Sequence, residues 1–192
     1  MQTRKLLLWS VFIAVFFIGN ANAQSPKKEL LSTAKGSSYL NLGVGLGSYG
    51  LVGTGGIPIV ASYEYGVAKN ISAGIGIGYV KRKFTSEDKY TYLMFTARGS
   101  YHFNELMKLS NPKLDIYAGA GLVYRRYTYK YTELFPGSEG EAAYTKDYTT
   151  SGGNVDAEIH AGARYLFTNH IGAFAELGYG ISPLQLGLTL VF

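Results

Sequence analysis

Leu184-Gln-Leu-Gly-Leu-Thr-Leu-Val-Phe192 closes the chain. Leu184, Leu186, Leu188, Leu190 and Phe192 share one parity; Gln185, Gly187, Thr189 and Val191 share the other. A strand sends successive side chains to opposite faces, so this stretch has one wholly apolar face and one small or polar face. A soluble domain seldom leaves so apolar a strand at its very end. A transmembrane β-barrel requires one, because its last strand pairs with its first and turns the apolar face to lipid.

Working outward from there, the same period of two recurs along the chain. Ala173, Ala175, Leu177 and Tyr179 alternate with Phe174, Glu176 and Gly178. Before them, Val155, Ala157, Ile159, Ala161, Ala163, Tyr165 and Phe167 alternate with Asn154, Asp156, Glu158, His160 and Arg164. Five earlier segments behave alike: 38–47, 57–67, 71–80, 91–103 and 114–125. The expectation is an all-β, eight-stranded antiparallel up-and-down transmembrane β-barrel. Ala68-Lys69-Asn70 and Thr168-Asn169-His170 are tight turns, and Asn104 to Lys113 is a somewhat longer one. Ser48 to Gly56 and the charged Lys81 to Lys89 are loops on the opposite side. The stretch 128–153 is the longest break, expected to project on strand-like flanks with a mobile tip near Gly137 to Ala142.

Alternation alone does not say which face is inside, since a soluble barrel turns its apolar face inward. Three features place the polar parity in the lumen. It is rich in glycine (Gly43, Gly45, Gly74, Gly76, Gly78, Gly119, Gly121, Gly162, Gly178), and a narrow eight-stranded interior suits small residues opposite large ones. It carries charges of both signs, as a buried polar network requires. The apolar parity places Tyr63, Tyr65, Tyr79, Tyr101, Phe103, Tyr124, Tyr165, Phe167, Tyr179 and Phe192 near strand ends, where aromatic girdles mark membrane interfaces.

The layout is then a leader, 1–23, a short polar segment, 24–37, and the barrel, 38–192. Arg4 and Lys5 precede a 14-residue apolar run, Leu6 to Gly19, and Ala21-Asn22-Ala23 is an A-x-A cleavage site, the pattern of a secretory signal peptide. The run is too short for a spanning helix, which needs about 20 residues. There is no cysteine, so no disulfide or cysteine-based metal site. The formal charge of +5 falls by two, to +3, once Arg4 and Lys5 leave with the leader, too little to argue for nucleic acid.

Ala161-Gly-Ala-Arg-Tyr-Leu-Phe167, Phe174-Ala-Glu-Leu-Gly-Tyr-Gly180 and the Phe-terminated last strand resemble the Gram-negative outer-membrane β-barrel superfamily that includes the OmpA transmembrane domain, OmpX and OmpW. The resemblance covers about Ser38 to Phe192. It implies an outer-membrane location, lipid and lipopolysaccharide around a monomer, and delivery by periplasmic chaperones to the barrel-assembly machinery. Leu186, Leu188, Leu190 and Phe192 would be the C-terminal assembly signal. No peptidoglycan-binding domain follows, so no cell-wall tether is expected. The superfamily holds structural proteins, adhesins, small pores and a few enzymes, and these motifs specify fold rather than ligand.

Chemistry is sparse. Among the histidines, His102 and His170 fall at the periplasmic end and read as interfacial. His160 shares the inward face with Glu158, but no inward serine lies two residues away, so no hydrolase trio is expected. The glycines recur every two residues within strands and do not form a phosphate loop. Glu133, Glu139, Glu141 and Asp147 lack calcium-loop spacing. No catalytic, cofactor or metal residues are therefore assigned, and the protein is not expected to be an enzyme. What remains is a lumen network of Glu64, Arg98, Asp156, Glu158, His160, Arg164 and Glu176. Within it, Glu64, Arg98, Arg164 and Glu176 are expected to pair, with Arg164 the diagonal neighbour of Glu176. A closed lumen and a structural or surface-interaction role through the outer loops is the favoured reading; a small pore or conduit for small or hydrophobic solutes is the alternative.

Overall fold

The computed structural model describes residues 35–48, 50–85, 88–137 and 142–192; the leader, with Ala21 and Ala23, most of the segment 24–37 and the tip 138–141 lie outside them. Eight strands follow one another: β1 (Ser38–Leu46), β2 (Ile59–Ala68), β3 (Ile71–Lys83), β4 (Lys89–His102), β5 (Leu114–Phe135), β6 (Tyr144–Leu166), β7 (Ile171–Tyr179) and β8 (Leu184–Val191). Each pairs antiparallel with the next, and β1 closes the ring on β8 from Tyr39↔Val191 to Leu46↔Leu184. Ser38 and Phe192 exchange both backbone hydrogen bonds at the seam, at 3.1 and 3.0 Å. Closure leaves no edge strand, which a membrane cannot tolerate.

The faces follow the expected parity. Ile75, Leu122, Val155, Ile159, Leu177 and Leu188 stand exposed on the outer wall, and Ile75 keeps 65% of its surface free. Tyr39, Asn41, Glu64, Arg98, Tyr117 and Arg164 are buried inside. This is the inverse of a soluble barrel, with the apolar belt outside. Tyr65, Tyr101, Tyr165, Phe167 and Phe192 ring the end that carries the chain termini; Tyr79, Phe95, Tyr124 and Tyr179 ring the other.

At the end away from the chain termini the strands run on past the aromatic ring. Within the segment 81–89, Lys81, Arg82 and Lys83 are strand and pair with Thr91, Tyr90 and Lys89, so β3 continues into the expected loop. The stretch 128–153 projects on strand flanks as expected, its ladder running to Phe135↔Tyr144. At ~3.3 Å per residue the 22 residues of β5 reach about 70 Å, while a membrane strand needs about 9–11 residues. About half of β5 and β6 therefore stands beyond the belt; β3 and β4 accompany it as far as Lys83↔Lys89↔Lys130, and 131–135 with 144–148 continue as a two-stranded ribbon. Such a ribbon is marginal in water on its own. Stacked rings on its inner face brace it: Tyr90–Tyr129 at 4.4 Å, Tyr129–Tyr131 at 5.2 Å, Tyr131–Tyr148 at 5.4 Å and Phe135–Tyr144 at 5.4 Å between centroids.

At the opposite end the chain turns sharply at Asn70, whose φ of 60° lies in the left-handed region that asparagine tolerates. Lys69 Nζ donates to Glu105 Oε1 and Asn70 Nδ2 to Glu105 Oε2, both at 2.7 Å, tying two turns together. These bonds, Lys69's first, hold Glu105 below the ordinary carboxylate range, and Glu105 raises Lys69. A lowered acid contributes stability above its unfolded pKa and loses it as pH falls through the folded one. A raised amine loses its contribution as pH rises through its own folded value. Glu105→Gln should therefore lower the urea midpoint slightly at neutral pH, the link being exposed, and the difference from wild type should vanish in acid. A difference that persists below both carboxylate values would contradict this.

Candidate functional site

The site is the lumen, and register builds it. Glu64↔Gly74↔Arg98↔Gly121↔Glu158 is one continuous row across β2 to β6, so large and small residues alternate around the wall. The glycines make room for their neighbours: a Cβ on Gly119 would meet the His160 ring at 2.7 Å, and one on Gly162 the Tyr117 hydroxyl at 2.7 Å.

Arg164 is the centre. Its Nη2 donates to Glu64 Oε1 at 2.5 Å, its Nη1 to Asp115 Oδ2 at 3.1 Å and its Nε to Asn41 Oδ1 at 3.4 Å. The guanidinium lies 4.0 Å from the Tyr117 ring centroid and 4.8 Å from that of Tyr39, a cation between two π faces. Arg98 makes a fork to Glu176, Nη1 to Oε1 at 3.2 Å and Nη2 to Oε2 at 2.5 Å, and its Nη1 lies 3.5 Å from Glu158 Oε1. Tyr117 and Gln185 also donate to Glu176, at 3.1 and 3.2 Å. Arg164 and Glu64 are 1% and 0% exposed.

Two histidines enter this layer. His102 has Nδ1 2.9 Å from Asp115 Oδ1 and Nε2 3.0 Å from Ser72 Oγ. His160 has Nε2 2.9 Å from Ser100 Oγ and Nδ1 3.2 Å from Glu158 Oε1; the latter approach lies off the N–H direction, so it is an electrostatic contact and not a hydrogen bond. Ser72 and Ser100 both donate to Glu64 Oε2, at 3.0 and 3.2 Å.

Several expectations are corrected. Arg164 does not pair with Glu176. The ladder neighbour Gly162↔Glu176 is as counted, but adjacency on the wall does not fix where a long side chain ends. Arg164 reaches across to β2, and Glu176 meets Arg98 instead. Asp156 is not in this layer. Its Oδ2 accepts from Arg125 at 2.9 Å and Tyr179 at 2.6 Å at the outer rim, with its side chain 35% exposed. His102 is not interfacial but buried inside, whereas His170 stays at the terminal end, its Nδ1 3.0 Å from the Val191 carbonyl. The serines near the histidines come from other strands, which a search within one strand misses. Asp115 also escaped notice, although it is the direct ladder partner of Arg164; counting across that hairpin needs the length of its distant turn.

Apolar layers flank the charges. Val60, Val80, Tyr92, Met94, Val123 and Ile181 cluster inside on the outer side. Tyr39, Leu166 and Val191 cluster on the terminal side. Ile181 arrives from the β7–β8 turn, held inward by Ser182, whose Oγ donates its one proton among the Leu46, Gly47 and Leu184 carbonyls, all within 3.1 Å. Leu51 packs on the outer cluster from the β1–β2 loop, and Val52 N–H donates to Tyr92 Oη at 2.9 Å. Above it opens a vestibule of about 360 Å³ lined by Leu51, Tyr90, Arg125 and Tyr127.

No protein-family model matches the chain, and no curated protein does. Among solved structures it is similar to the N-terminal β-barrel domain of Pseudomonas aeruginosa OprF, at 17% identity and a TM-score of 0.45, covering 83% of this chain and 99% of that one. It is similar to Neisserial surface protein A, at 14% identity and 0.47, covering 81% and 95%. It is also similar to the Yersinia pestis outer membrane protein Ail in a phospholipid bilayer nanodisc, at 15% identity and 0.48, covering 82% and 99%.

Proposed function

We propose that the protein is an integral outer-membrane barrel whose lumen is closed, and whose working surface is the β5–β6 ribbon outside the cell. In this reading residues 1–23 are a cleaved leader and the terminal end faces the periplasm, the usual side for short turns. The observation that carries the reading is the Arg164–Glu64 bridge. It joins β6 to β2, four places apart in a ring of eight, and so crosses the interior. The apolar clusters on either side keep the charged layer from water, and buried charges persist only when paired.

Proton accounting supports closure. Glu64 takes the protons of both Ser72 and Ser100, so His102 Nε2 and His160 Nε2 donate to those serines. The other nitrogen of each ring faces a carboxylate. Arg98, Arg164, His102 and His160 stand against Glu64, Asp115, Glu158 and Glu176, so every carboxylate of the layer has a basic side chain beside it. The same arrangement argues against hydrolysis, because an imidazole nitrogen that donates to serine cannot take its proton.

The test is proteolysis of intact cells. Protease should cut between 136 and 142, at the head of the ribbon, and leave the barrel whole. Protection in intact cells, with cleavage only after the outer membrane is opened, would reverse the orientation and remove the proposed surface role.

A further inference from the structure

The outer wall beyond the belt carries a feature that folding alone does not explain. Lys83↔Lys89 and Lys89↔Lys130 are register partners, so three lysines stand side by side on β3, β4 and β5. Like charges directly opposite one another destabilise a sheet, and adjacent strands are only ~4.8 Å apart. Lys81 and Arg126 lie on the same outward parity, closer to the membrane, with Thr91 and Thr128 between them. All five cations are exposed, and among the described residues no carboxylate is within ion-pair distance of any of them.

Position tells what this array meets. Lys81 is two residues beyond Tyr79 and Arg126 two beyond Tyr124, both aromatic girdle residues. At a strand tilt of ~45° the cations lie about 5–14 Å beyond the aromatic row. They face sideways, on the parity of Ile77 and Phe95, away from the lumen and away from anything approaching the ribbon's head. The array is one-sided: the outward positions at the same end of β1, β2, β7 and β8 are Leu46, Ile59, Tyr179 and Leu184. We propose that Lys83, Lys89 and Lys130, with Lys81 and Arg126, form a binding site for the phosphorylated sugar headgroup of a glycolipid in the outer leaflet. Ammonium and guanidinium groups neutralise its phosphates, the threonine hydroxyls meet its sugars, and the headgroup relieves the repulsion in the lysine row. The proposal rests on the outer-membrane reading above.

Native mass spectrometry of the refolded full barrel tests it, with bis-phosphorylated lipid A, its dephosphorylated form and inorganic phosphate as separate probes. Wild type should retain bis-phosphorylated lipid A at least tenfold better than the dephosphorylated form, and raised salt should weaken the retention. Lys83→Gln with Lys89→Gln and Lys130→Gln should lose that preference while keeping heat-modifiable gel mobility; the three lysine-to-arginine changes should keep it. Equal retention by wild type and the glutamine variant, or of both lipid forms, would overturn the site. Inorganic phosphate held as tightly as the glycolipid would overturn the lipid as its occupant. A barrel that refolds with normal mobility yet holds no glycolipid would remove this site and leave the barrel reading standing.

Discussion

Arg164→Ala should destabilise the refolded barrel by about 3–5 kcal/mol, the cost of breaking a buried ion pair by removing one partner. The substitution strips Glu64 and Asp115 of their shared guanidinium at once and empties the space between Tyr39 and Tyr117. Arg98→Ala should cost less, because Glu176 keeps Tyr117 and Gln185 as donors. Combining Arg164→Met with Glu64→Gln should recover part of the loss, since the second change removes one of the stranded charges. Urea unfolding from lipid vesicles reads all three. A cost for Arg164→Ala below about 1 kcal/mol, the range of solvated pairs, would mean that the charges are separately hydrated and the lumen is wet.

Leu188→Arg should cost about 2–4 kcal/mol, the penalty for arginine near the bilayer midplane. Leu188 lies mid-strand in β8, 57% exposed on the outer wall, between Leu42 and Ala173. The penalty falls toward the interfaces, so Leu190→Arg, nearer the seam at Phe192, should be milder. Thr189→Arg acts differently: Thr189 is buried in the lumen, so the new side chain crowds the polar layer and no lipid is involved. Equal tolerance of arginine at Leu186, Leu188 and Leu190 would contradict the membrane-facing assignment. Vesicle refolding scored by heat-modifiable gel mobility distinguishes these outcomes.

The contrast between these two predictions tracks what a sequence can carry. The outward set Leu186, Leu188, Leu190 and Phe192 was legible because strand side chains have a period of two and the opposite parity along the chain, rich in glycine and in charges of both signs, suits a narrow lumen. The same logic placed Glu64, Arg98, Glu158, His160, Arg164 and Glu176 inside. Register was legible only across a tight turn, which is why Gly162↔Glu176 was found and Asp115↔Arg164 was not. Which arginine meets which acid was not legible, because it depends on the tilt of the strands and the reach of side chains across the ring. The outer halves of β5 and β6 showed only as strand-like flanks of unfixed length, for a different reason. Beyond the bilayer neither face needs to be apolar, so Lys146, Asp147 and the threonines mask the alternation that Tyr144 and Tyr148 continue. The inner cluster of Val60, Val80, Met94 and Val123 sat on the lumen parity in plain view, but its closure by Ile181 comes from a turn, where no periodicity speaks.

The central claim is that a crossing ion-pair layer between two apolar layers shuts the barrel, and conductance in planar lipid bilayers measures this most directly. The purified wild-type barrel should pass little current, and Arg98→Ala with Arg164→Ala, which takes the guanidinium from four carboxylates, should lower stability and admit ions. A steady, sizeable wild-type conductance left unchanged by that double substitution would contradict the account and make the protein a pore.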